Sequence, residues 1–438
     1  MKRPLFIFLA IFTLLFAITT RAHANAYKTW GVGSRSVGMG GAFIGQADDW
    51  TAIYWNPAGL TQLKKSGASA EPGYLYLKMT DGNSARNFSP AALGDHLQGD
   101  TFLNAYGAFG FEPEQFDRNS SVYSGASPAS AFGAFASIEP VTIAIGMYTP
   151  AGLQIDLASE VADAANANAR IEMSFHSSVK VTSYSVAVGV PVHKKVSVGL
   201  GVNILALETN INAKKRYFNA ALPDYDFRYR EKSFGIGAEP IIGVMANITD
   251  KLQIGGVYRF GAKIQSLGQA EARHTALGVN QDSPYRQTYY YPSSMGVGLA
   301  YNPFPKFTLT ADWEYTNWRK LNRKITYDRK DLVMSDVDFD WEWTGSSNYS
   351  VGMEYDLLPY LSLRGGIRYD ESPLSDTSVS ITNVVDVDKV WYTTGITFAK
   401  DNYSLDFAYA YTYGEDTILG EDYSILAHNV MLGAKYQF

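Results

Sequence analysis

The sequence predicts an all-β protein, a 14-stranded antiparallel transmembrane β-barrel with an N-terminal hatch, or plug, inside its lumen. Three observations predict this fold. Apolar and polar residues alternate over stretches of ten or more residues, which is longer than most strands of soluble sandwiches. Short and long connections alternate between these stretches, as they do in outer-membrane barrels. A glycine-rich segment that suits neither a helix nor a central strand comes before them.

Residues 1–24 are predicted to be a secretory signal peptide. Lys2 and Arg3 form a basic start, Leu5–Ile18 is an apolar core, and Ala22-His23-Ala24 fits a small-x-small cleavage site. The alternative is an uncleaved membrane anchor, but a core of about 14 apolar residues is short for a membrane span. We therefore expect a cleaved signal peptide and an exported protein.

Residues 25–65 are predicted to form a compact but irregular hatch. Six glycines fall between positions 31 and 45, and each of them loses extra backbone entropy when it is ordered. Asn56-Pro57 is a turn signal, because proline fixes its own φ and keeps the preceding residue out of the α region. The surroundings, rather than internal secondary structure, must therefore hold this segment in place.

Residues 66–438 are predicted to form the barrel. The alternation is clearest in 403–413, 196–204 and 307–315. A period of two places one face of each strand in an apolar medium and the other face in a polar one. The predicted strands span 67–79, 128–138, 141–154, 173–190, 196–213, 232–248, 252–267, 287–301, 306–318, 345–357, 361–370, 389–399, 403–413 and 424–438.

The connections between these strands differ in length on the two sides of the barrel. The predicted short turns are Glu139-Pro140, His193–Lys195, Thr249–Lys251, Asn302–Pro305, Leu358–Tyr360 and Lys400–Asn402. The predicted long loops are 80–127, 155–172, 214–231, 268–286, 319–344, 371–388 and 414–423. Short periplasmic turns and long outer loops are typical of outer-membrane barrels, and an even strand count leaves both termini on the periplasmic side.

The composition agrees with a membrane barrel. The chain has 30 Tyr, 23 Phe and 8 Trp, and such residues favour strands and collect at membrane–water interfaces. It has no cysteine, so closed hydrogen bonding rather than disulfides must hold an exported protein of this size. Its net charge of −6 gives no electrostatic footprint for nucleic acid. After the predicted signal peptide, no segment is long and apolar enough for a transmembrane helix.

The hatch segment resembles a known family. The residues that carry the resemblance are Gly38-Met39-Gly40-Gly41-Ala42-Phe43, Ala47-Asp48-Asp49 and Asn56-Pro57-Ala58-Gly59-Leu60. They are similar to the N-terminal hatch of the FadL/TodX family of bacterial outer-membrane transporters for hydrophobic compounds. The resemblance implies a hatch motif at Asn56, Pro57 and Ala58 and hatch glycines at Gly38, Gly40 and Gly41. It also implies passive transport of long-chain fatty acids or aromatic hydrocarbons, by capture between outer loops, hatch-gated passage to a pocket near the hatch, and lateral release.

Pro150 and Gly152 interrupt the third predicted strand. Proline cannot donate to the ladder, and glycine often marks a bulge. Either the strand ends here and a loop begins, or the barrel wall is broken. In the FadL family, a kink in the third strand makes a lateral opening toward the membrane. Loop 155–172 has Ala-rich helical character between Leu157 and Ala169 and is a candidate cover for an apolar ligand.

Apolar residues of the hatch and loops are the candidate ligand contacts. Four of them are assigned to ligand binding: Phe43, Leu153, Ile155 and Leu157. A second set lies in the first long loop and comprises Phe88, Leu93, Leu97, Phe102, Leu103 and Tyr106. Each of these residues can equally belong to a small core of its own loop.

Charged residues recur on the predicted lumen faces of the strands. They are Arg259, Asp312, Glu314, Glu354, Arg364, Arg368, Asp370, Asp406 and Lys435. Each would cost a few kcal/mol on the lipid face, so the lumen is their expected place. A structural network that holds the hatch is the first interpretation, and an arginine that binds the carboxylate of a ligand is the second.

The sequence offers little chemistry for catalysis. The glycine run lacks the Lys-Ser/Thr of a phosphate loop, and no pair of histidines has metal-ligand spacing. Asp48-Asp49 has no identifiable partner for acid–base work, and Ser174 or Ser177 beside His176 is more simply a chance proximity. We therefore predict no catalytic residue, no metal and no cofactor, and a protein that is not an enzyme.

Two alternatives to a hydrophobic-compound transporter stay open from the sequence. One is a general diffusion porin, and the other is an outer-membrane enzyme that acts on lipid. Porins are usually narrowed by an inward-folded loop, so the plug in residues 31–60 discriminates between the readings. The predicted partners are a hydrophobic small molecule, outer-membrane lipid, and the outer-membrane assembly machinery, which would read the C-terminal strand ending in Phe438. No nucleic acid is expected, and the protein is predicted to be a monomer.

Overall fold

The computed structural model describes one closed antiparallel sheet around an N-terminal segment. The described residues are 31–82, 121–128, 131–162, 169–219, 222–275, 278–330, 334–340, 343–374, 386–418 and 421–438. The predicted signal peptide, residues 25–30 of the predicted hatch, and Phe88, Leu93, Leu97, Phe102, Leu103 and Tyr106 all lie outside this part of the chain.

The sheet contains 20 strand segments in the described residues. The first ten are β1 (Gly67–Glu71), β2 (Gly73–Gly82), β3 (Ser121–Pro128), β4 (Ala131–Ile138), β5 (Val141–Ala162), β6 (Ala169–His193), β7 (Val196–Asn219), β8 (Leu222–Thr249), β9 (Leu252–Arg259) and β10 (Ala262–His274). The others are β11 (Val279–Tyr291), β12 (Ser294–Phe304), β13 (Phe307–Thr316), β14 (Asn322–Tyr327), β15 (Val337–Asp340), β16 (Ser346–Leu358), β17 (Leu361–Asp370), β18 (Lys389–Lys400), β19 (Tyr403–Ile418) and β20 (Glu421–Gln437).

The segments form 14 barrel strands, because six of the strands are each divided into two segments. The divided strands are β1/β2, β3/β4, β9/β10, β11/β12, β13/β14 and β15/β16. All pairings are antiparallel, and β20 closes the barrel by pairing with β1 and β2. The predicted fold class is therefore confirmed. Closure through β20 leaves the barrel without a first or last edge strand, as a sheet in lipid requires.

The outer face of the barrel carries the apolar side of the alternation. On β7, Leu200 is 54% exposed, whereas Asn203 on the lumen side is 2% exposed. Large aromatic residues ring the periplasmic rim, as expected where rings sit at the membrane–water interface. They include Phe304, Tyr360, Phe398, Tyr403, Tyr436 and Phe438. At the C-terminus the backbone N–H of Phe438 donates to the carbonyl oxygen of Ser66 at 2.9 Å, so the last residue is tied to the first strand.

The hatch lies inside the barrel and is irregular, as its glycine content predicts. Its described residues, 31–65, contain only two short helices, α1 (Ser34–Gly38) and α2 (Ala52–Trp55), and the 3₁₀-helix Pro57–Gln62. A second 3₁₀-helix, Trp318–Lys320, follows β13. In the described part of the chain, no helix has the length and apolar character needed to span a membrane.

The strands on one side of the barrel are much longer than predicted. β7 ends at Asn219 and β8 begins at Leu222, so the predicted loop 214–231 is mostly sheet. The predicted loop 268–286 is likewise a hairpin of β10 and β11. Beyond the membrane the outward face of a strand is polar and the apolar residues, such as Ile211 and Phe227, face the lumen, so the apolar-outward alternation stops while the ladder continues. The sequence pattern therefore ends before the strand does.

The predicted helical character between Leu157 and Ala169 is wrong for its described part. β5 continues to Ala162 and β6 begins at Ala169, and the two segments pair as far as Ala162↔Arg170. Alanine has a high helix propensity, but that propensity is a weak prior that tertiary context overrides. Here a continuous ladder with β6 satisfies the backbone, so the segment forms part of the wall and no helical cover.

Candidate functional site

The Asn56-Pro57-Ala58 motif fixes the tightest turn of the hatch against the wall. The Asn56 side chain accepts a hydrogen bond from the Ala58 N–H at 3.2 Å and donates to the Ile44 carbonyl at 3.1 Å. It also donates to the carbonyl of Val244 in β8 at 3.0 Å. Pro57 begins the 3₁₀-helix, where its missing N–H is not needed. One buried amide therefore joins two hatch loops and a barrel strand.

The hatch glycines allow the backbone to touch the opposite wall. Gly40 has φ +67°, a left-handed conformation that favours glycine, and a Cβ there would lie 3.0 Å from the Ile367 nitrogen in β17. A Cβ on Gly38 would lie 3.1 Å from the Cα of Gly395 in β18. A Cβ on Gly41 would lie 3.0 Å from the Arg368 guanidinium. Side chains at these positions would push the hatch off the wall.

The barrel wall also has glycines where it contacts the hatch, and the sequence reasoning missed them. At the level of the hatch, many strands present a glycine to the lumen. We call this set the glycine belt: Gly133, Gly146, Gly189, Gly199, Gly243, Gly255, Gly298, Gly352, Gly366, Gly395 and Gly433. A Cβ on Gly199 would overlap the Pro57 backbone, and one on Gly133 would overlap the Trp50 ring. The signal was a glycine at a lumen-facing position in the middle of a strand.

Ion pairs supply the second attachment of the hatch. Arg35 binds Asp48 within the hatch and Glu354 of β16, with 2.6 Å between Arg35 Nη2 and Glu354 Oε1. Glu354 also accepts from Arg364 Nε at 2.5 Å. The carboxylate of Asp312 accepts from the Ile44 backbone N–H at 2.6 Å. The lumen charges of the wall therefore hold the hatch, as the structural-network interpretation predicts.

Most of the remaining lumen charges pair with one another. Arg259 Nη1 lies 2.9 Å from Glu314 Oε1, and Arg259 also donates to the carbonyl oxygen of Tyr54 in the hatch. Arg368 Nε lies 2.5 Å from Asp370 Oδ1. Asp406 lies 3.4 Å from Arg364, and Lys435 is half-buried near the periplasmic rim. Charges in a low-dielectric lumen are stable only with such partners.

The wall is broken where Pro150 and Gly152 interrupt the third strand. β4 pairs with β5 only as far as Phe132↔Met147, and β3 pairs with β5 at Tyr123↔Asp156. In the described residues, no ladder pair joins β3 or β4 to the stretch between these two points. On the other side, the register with β6 shifts between Tyr148 and Ala151. The ladder pairing is interrupted here, and β5 continues past Pro150 to Ala162, so the alternative that the strand ends at Pro150 is wrong. The use of this gap as a lateral opening stays a prediction.

The register shift changes which side chains face the lumen. Tyr148 and Ala151 are 1% and 3% exposed, although three positions separate them. Pro150 lies between them and lines a cavity of about 20 Å³ together with Tyr54 of the hatch and Trp318. A cavity of this size holds about one water molecule. The break in the wall, the top of the hatch and a loop tryptophan therefore meet at one point.

Above the hatch, the described part of the lumen contains two clusters of buried apolar side chains. We call the first set the upper cluster: Ala151, Val181, Leu205, Leu207, Ala262, Ile264, Tyr289, Trp318, Leu321, Trp343, Leu374, Val387 and Ile425. A second set lies farther out and is called the mouth cluster: Ile211, Ala213, Phe227, Tyr229, Ala270, Ala272, Tyr285, Ile325, Tyr327 and Met334. Ala151 and Val181 bring the upper cluster to the broken wall.

The predicted ligand contacts are not brought together as one set. Phe43 is fully buried in the hatch core, with its ring edge-to-face against Trp55 at 6.4 Å between centroids. The backbones of Leu153, Ile155 and Leu157 lie in β5 just beyond the wall break, and their side chains lie outside the described part of the structure. The upper cluster, which the sequence did not single out, contains none of these four residues among its described members.

The described residues contain no grouping of three or more His, Asp or Glu side chains that could hold a metal ion. His176 and Ser174 lie on one face of β6, and Ser177 points to the other. The amide nitrogen of Asn210 lies 3.5 Å from His176 Nε2, so this histidine faces a polar neighbour.

Comparison with known proteins agrees with this architecture. The family profile described as outer membrane protein transport protein (OMPP1/FadL/TodX) matches residues 15–438. Outer membrane protein P1 of Haemophilus influenzae is 24% identical over 174 residues, which are 40% of this chain and 37% of that protein. The chain thus matches little more than a third of that relative's length.

Two solved structures show the same fold. The Pseudomonas aeruginosa FadL homologue superposes with a TM-score of 0.74 at 13% identity, over 94% of this chain and 100% of that one. The toluene transporter TodX of Pseudomonas putida superposes with a TM-score of 0.67 at 14% identity, over 93% and 99%. At these identities the likeness concerns the fold.

Proposed function

The chain belongs to the outer membrane transport protein family OMPP1/FadL/TodX, and from that premise we propose how it transports hydrophobic compounds across the bacterial outer membrane. An apolar molecule is captured among the outer loops. It passes down the lumen by displacing side chains of the mouth and upper clusters. It then leaves sideways through the break at Pro150 and Gly152, without crossing the hatch. The protein is a transporter in this scheme and performs no catalysis.

One observation carries the proposal. The upper cluster joins loop side chains such as Trp318 and Leu374 to Ala151 and Val181 at the wall break. An apolar solute that replaces these side chains stays out of water along the whole path. Each buried CH₂ group contributes about 0.8 kcal/mol, so a chain of ten such groups gains about 8 kcal/mol, which corresponds to micromolar binding. A diffusion porin would instead need a polar, hydrated lumen.

The ion pairs favour uncharged ligands over free carboxylates. Every arginine or lysine that the described residues bury has a carboxylate partner; these are Arg259, Arg323, Arg364, Arg368 and Lys389. A ligand carboxylate would have to break one of these pairs and leave a buried carboxylate without its cation, which costs about 3–5 kcal/mol. We therefore expect toluene-like hydrocarbons to be transported faster than ionised fatty acids.

Uptake through a variant of the wall break tests the lateral path. At Gly152 a Cβ would lie 3.5 Å from the nearest atom, the Val179 carbonyl oxygen, so a side chain can be placed there. We expect Gly152→Phe to slow toluene uptake about tenfold in cells that lack other transporters. Gly256 is the matched control, since it lies on the outer face of β9 and a Cβ there would have 3.4 Å to Val244. Gly256→Phe should transport at the normal rate.

The same cells separate the alternatives. Oleate and a small sugar are supplied in parallel with toluene, and the amount of protein in the membrane is measured for each variant. Unchanged toluene uptake by Gly152→Phe would show that the ligand leaves by another route. Fast sugar uptake with slow uptake of both apolar compounds would establish a diffusion porin instead.

A further inference from the structure

A groove on the outer face of the barrel lies where the apolar belt ends. It has a volume of about 740 Å³ and crosses β6, β7, β8 and β10. Its lining includes two lysines, Lys180 and Lys232, and two large apolar residues, Phe234 and Leu267. Phe234 is 56% exposed and Leu267 is 72% exposed, so both present most of their surface outward.

The strand register places these residues in two adjacent rows. Lys180 is paired with Glu208, Glu208 with Phe234, and Phe234 with Leu267. The next row outward is Ser178, Asn210, Lys232 and Gln269. The second row therefore lies about 7 Å farther from the periplasm than the first, two residues along each strand.

The position of these rows relative to the membrane follows from their neighbours. On the periplasmic side, the outward residues of β6 and β8 are mainly apolar, for example Tyr184 at 52% and Ile236 at 59% exposure, whereas β10 presents Gln265 and Lys263. On the outer side, the outward residues are charged, and Arg230 pairs with Glu271 at 3.8 Å. The groove thus spans the boundary between acyl chains and head groups in the outer leaflet.

The two lysine ammonium groups are not in an ion pair with any described residue. Glu208 lies directly across from Lys180 and diagonally from Lys232, and the three side chains give the groove a net charge of +1. A lysine at this depth keeps its ammonium at the interface while its stem covers apolar surface. The lysine ammonium also binds phosphate effectively, because it acts as a compact positive charge.

We propose that this groove is a binding site for a phosphorylated lipid of the outer leaflet. The phosphate lies between Lys180 and Lys232, and an acyl chain runs toward the periplasm over Phe234 and Leu267. The charge and the apolar surface are both on the wall's outer face, so the site is separate from the transport path. A bound lipid would fasten this side of the barrel to its leaflet.

Competition between lipids in native mass spectrometry tests the site. The full-length protein is purified in detergent and mixed with equal amounts of dioleoyl phosphatidic acid and dioleoyl phosphatidylcholine, which share their acyl chains. We expect preferential retention of phosphatidic acid, and loss of that preference by about tenfold in Lys180→Gln/Lys232→Gln. Lys194→Gln/Lys195→Gln is the matched control, because it removes two lysines from the periplasmic turn between β6 and β7.

Further samples distinguish the occupants. Inorganic phosphate should not compete at concentrations where phosphatidic acid binds, and Phe234→Ser/Leu267→Ser should weaken retention of phosphatidic acid. The proposal is overturned if the groove and control variants keep the same lipid preference, or if inorganic phosphate competes as well as the lipid. It is also overturned if the wild-type protein is a dimer that Lys180→Gln/Lys232→Gln dissociates, since the occupant would then be a second copy.

Discussion

The two halves of the lumen are filled in different ways. In the periplasmic half, the hatch backbone lies against the glycine belt and is tied down by charges such as Arg35 and Glu354. In the outer half, large side chains such as Trp318 and Trp343 fill the space and pack edge-to-face at 5.7 Å. Close backbone contact leaves nothing for a ligand to replace, whereas a ligand can replace an apolar side chain. On the proposed route, the periplasmic half of the lumen is therefore the seal, and the outer half is the path of the ligand.

The largest expected effect comes from breaking the seal. A Cβ on Gly255 would overlap the Ile44 carbonyl and lie 2.8 Å from the Asn56 amide, whereas one on neighbouring Gly256 meets only ordinary contacts. We expect Gly255→Val to displace the hatch and raise ion conductance in a planar bilayer about tenfold, because overpacking costs about 1–3 kcal/mol. Gly256→Val should conduct like the unmodified protein.

A chain that lacks Asn25–Leu60 sets the upper limit for this measurement, since it has an open lumen in the same wall. If that deletion leaves the conductance of a folded barrel unchanged, then the hatch is no seal. Equal conductances of the Gly255→Val and Gly256→Val proteins would show that the belt does not position the hatch.

A smaller effect is expected from removing one tryptophan from each half. Trp50 donates to Glu71 at 2.6 Å and its ring lies against Gly133, whereas Trp318 belongs to the upper cluster. Trp318→Ala leaves an apolar void that a small aromatic molecule can fill. We expect it to bind toluene several-fold more tightly with unchanged conductance, and Trp50→Ala to raise conductance with little change in toluene binding.

Toluene binding is measured by equilibrium uptake of labelled toluene by the purified variants. Ion conductance is measured in the same planar bilayers as for the glycine variants. The comparison fails if Trp318→Ala raises conductance as much as Trp50→Ala does. In that case the outer half would also be part of the seal.

The smallest expected effect concerns the outer rim of the path. Asp388 precedes β18 and accepts from the Tyr369 hydroxyl at 2.8 Å and from the Ser372 N–H at 3.1 Å. Burial raises the pKa of Asp388 to about 7; the Tyr369 hydrogen bond opposes this shift, and the carboxylates of Asp416 and Asp386 add to it. The adjacent Val387 belongs to the upper cluster, so this carboxyl lies beside the apolar filling.

The sign of the pH dependence follows from the raised pKa. The neutral carboxyl favours the folded arrangement, so its stabilising contribution is complete below the ordinary aspartate pKa near 4 and is lost as the pH rises through about 7. We expect protease cleavage in segment 371–388 to be about two- to three-fold faster at pH 8 than at pH 6. Asp388→Asn removes the titrating group, so its cleavage rate should not follow the wild-type rise between pH 6 and pH 8. The ratio of the variant's rate to the wild-type rate should therefore be about two- to three-fold lower at pH 8 than at pH 6. A constant ratio would show that Asp388 does not control this segment.

The sequence predicted the fold because lipid imposes a strict pattern on the wall. Alternation in stretches such as 196–204 and the short turn Glu139-Pro140 located strands and periplasmic turns, and Pro150 located the break in the ladder. The motif Asn56-Pro57-Ala58 located the hatch turn. These signals are local, since each depends on a few consecutive residues and on what proline, glycine or lipid allows.

The parts that could not be predicted depend on what residues meet across the lumen. From the sequence alone, Gly199 and Gly366 only weaken the strands that contain them. Their role becomes visible when the structure shows the hatch backbone in contact with them. The upper cluster joins Ala151 to Leu374 and Val387, which no sequence period connects. The outer parts of β7 and β8 have polar residues on their exposed faces, so the apolar pattern gave no sign that the ladder continues.

The length of β8 also determines where this protein meets its surroundings. The strand has 28 residues, whereas a tilted strand crosses the hydrocarbon core with about 9–11. The excess corresponds to roughly 40 Å of height at ~3.3 Å per residue and a tilt of about 45°. The wall therefore extends far beyond the membrane, through the hydrated sugar layer outside the cell. On the proposed route, an apolar solute enters at the outer end of this wall, which shields it from the sugars during the descent.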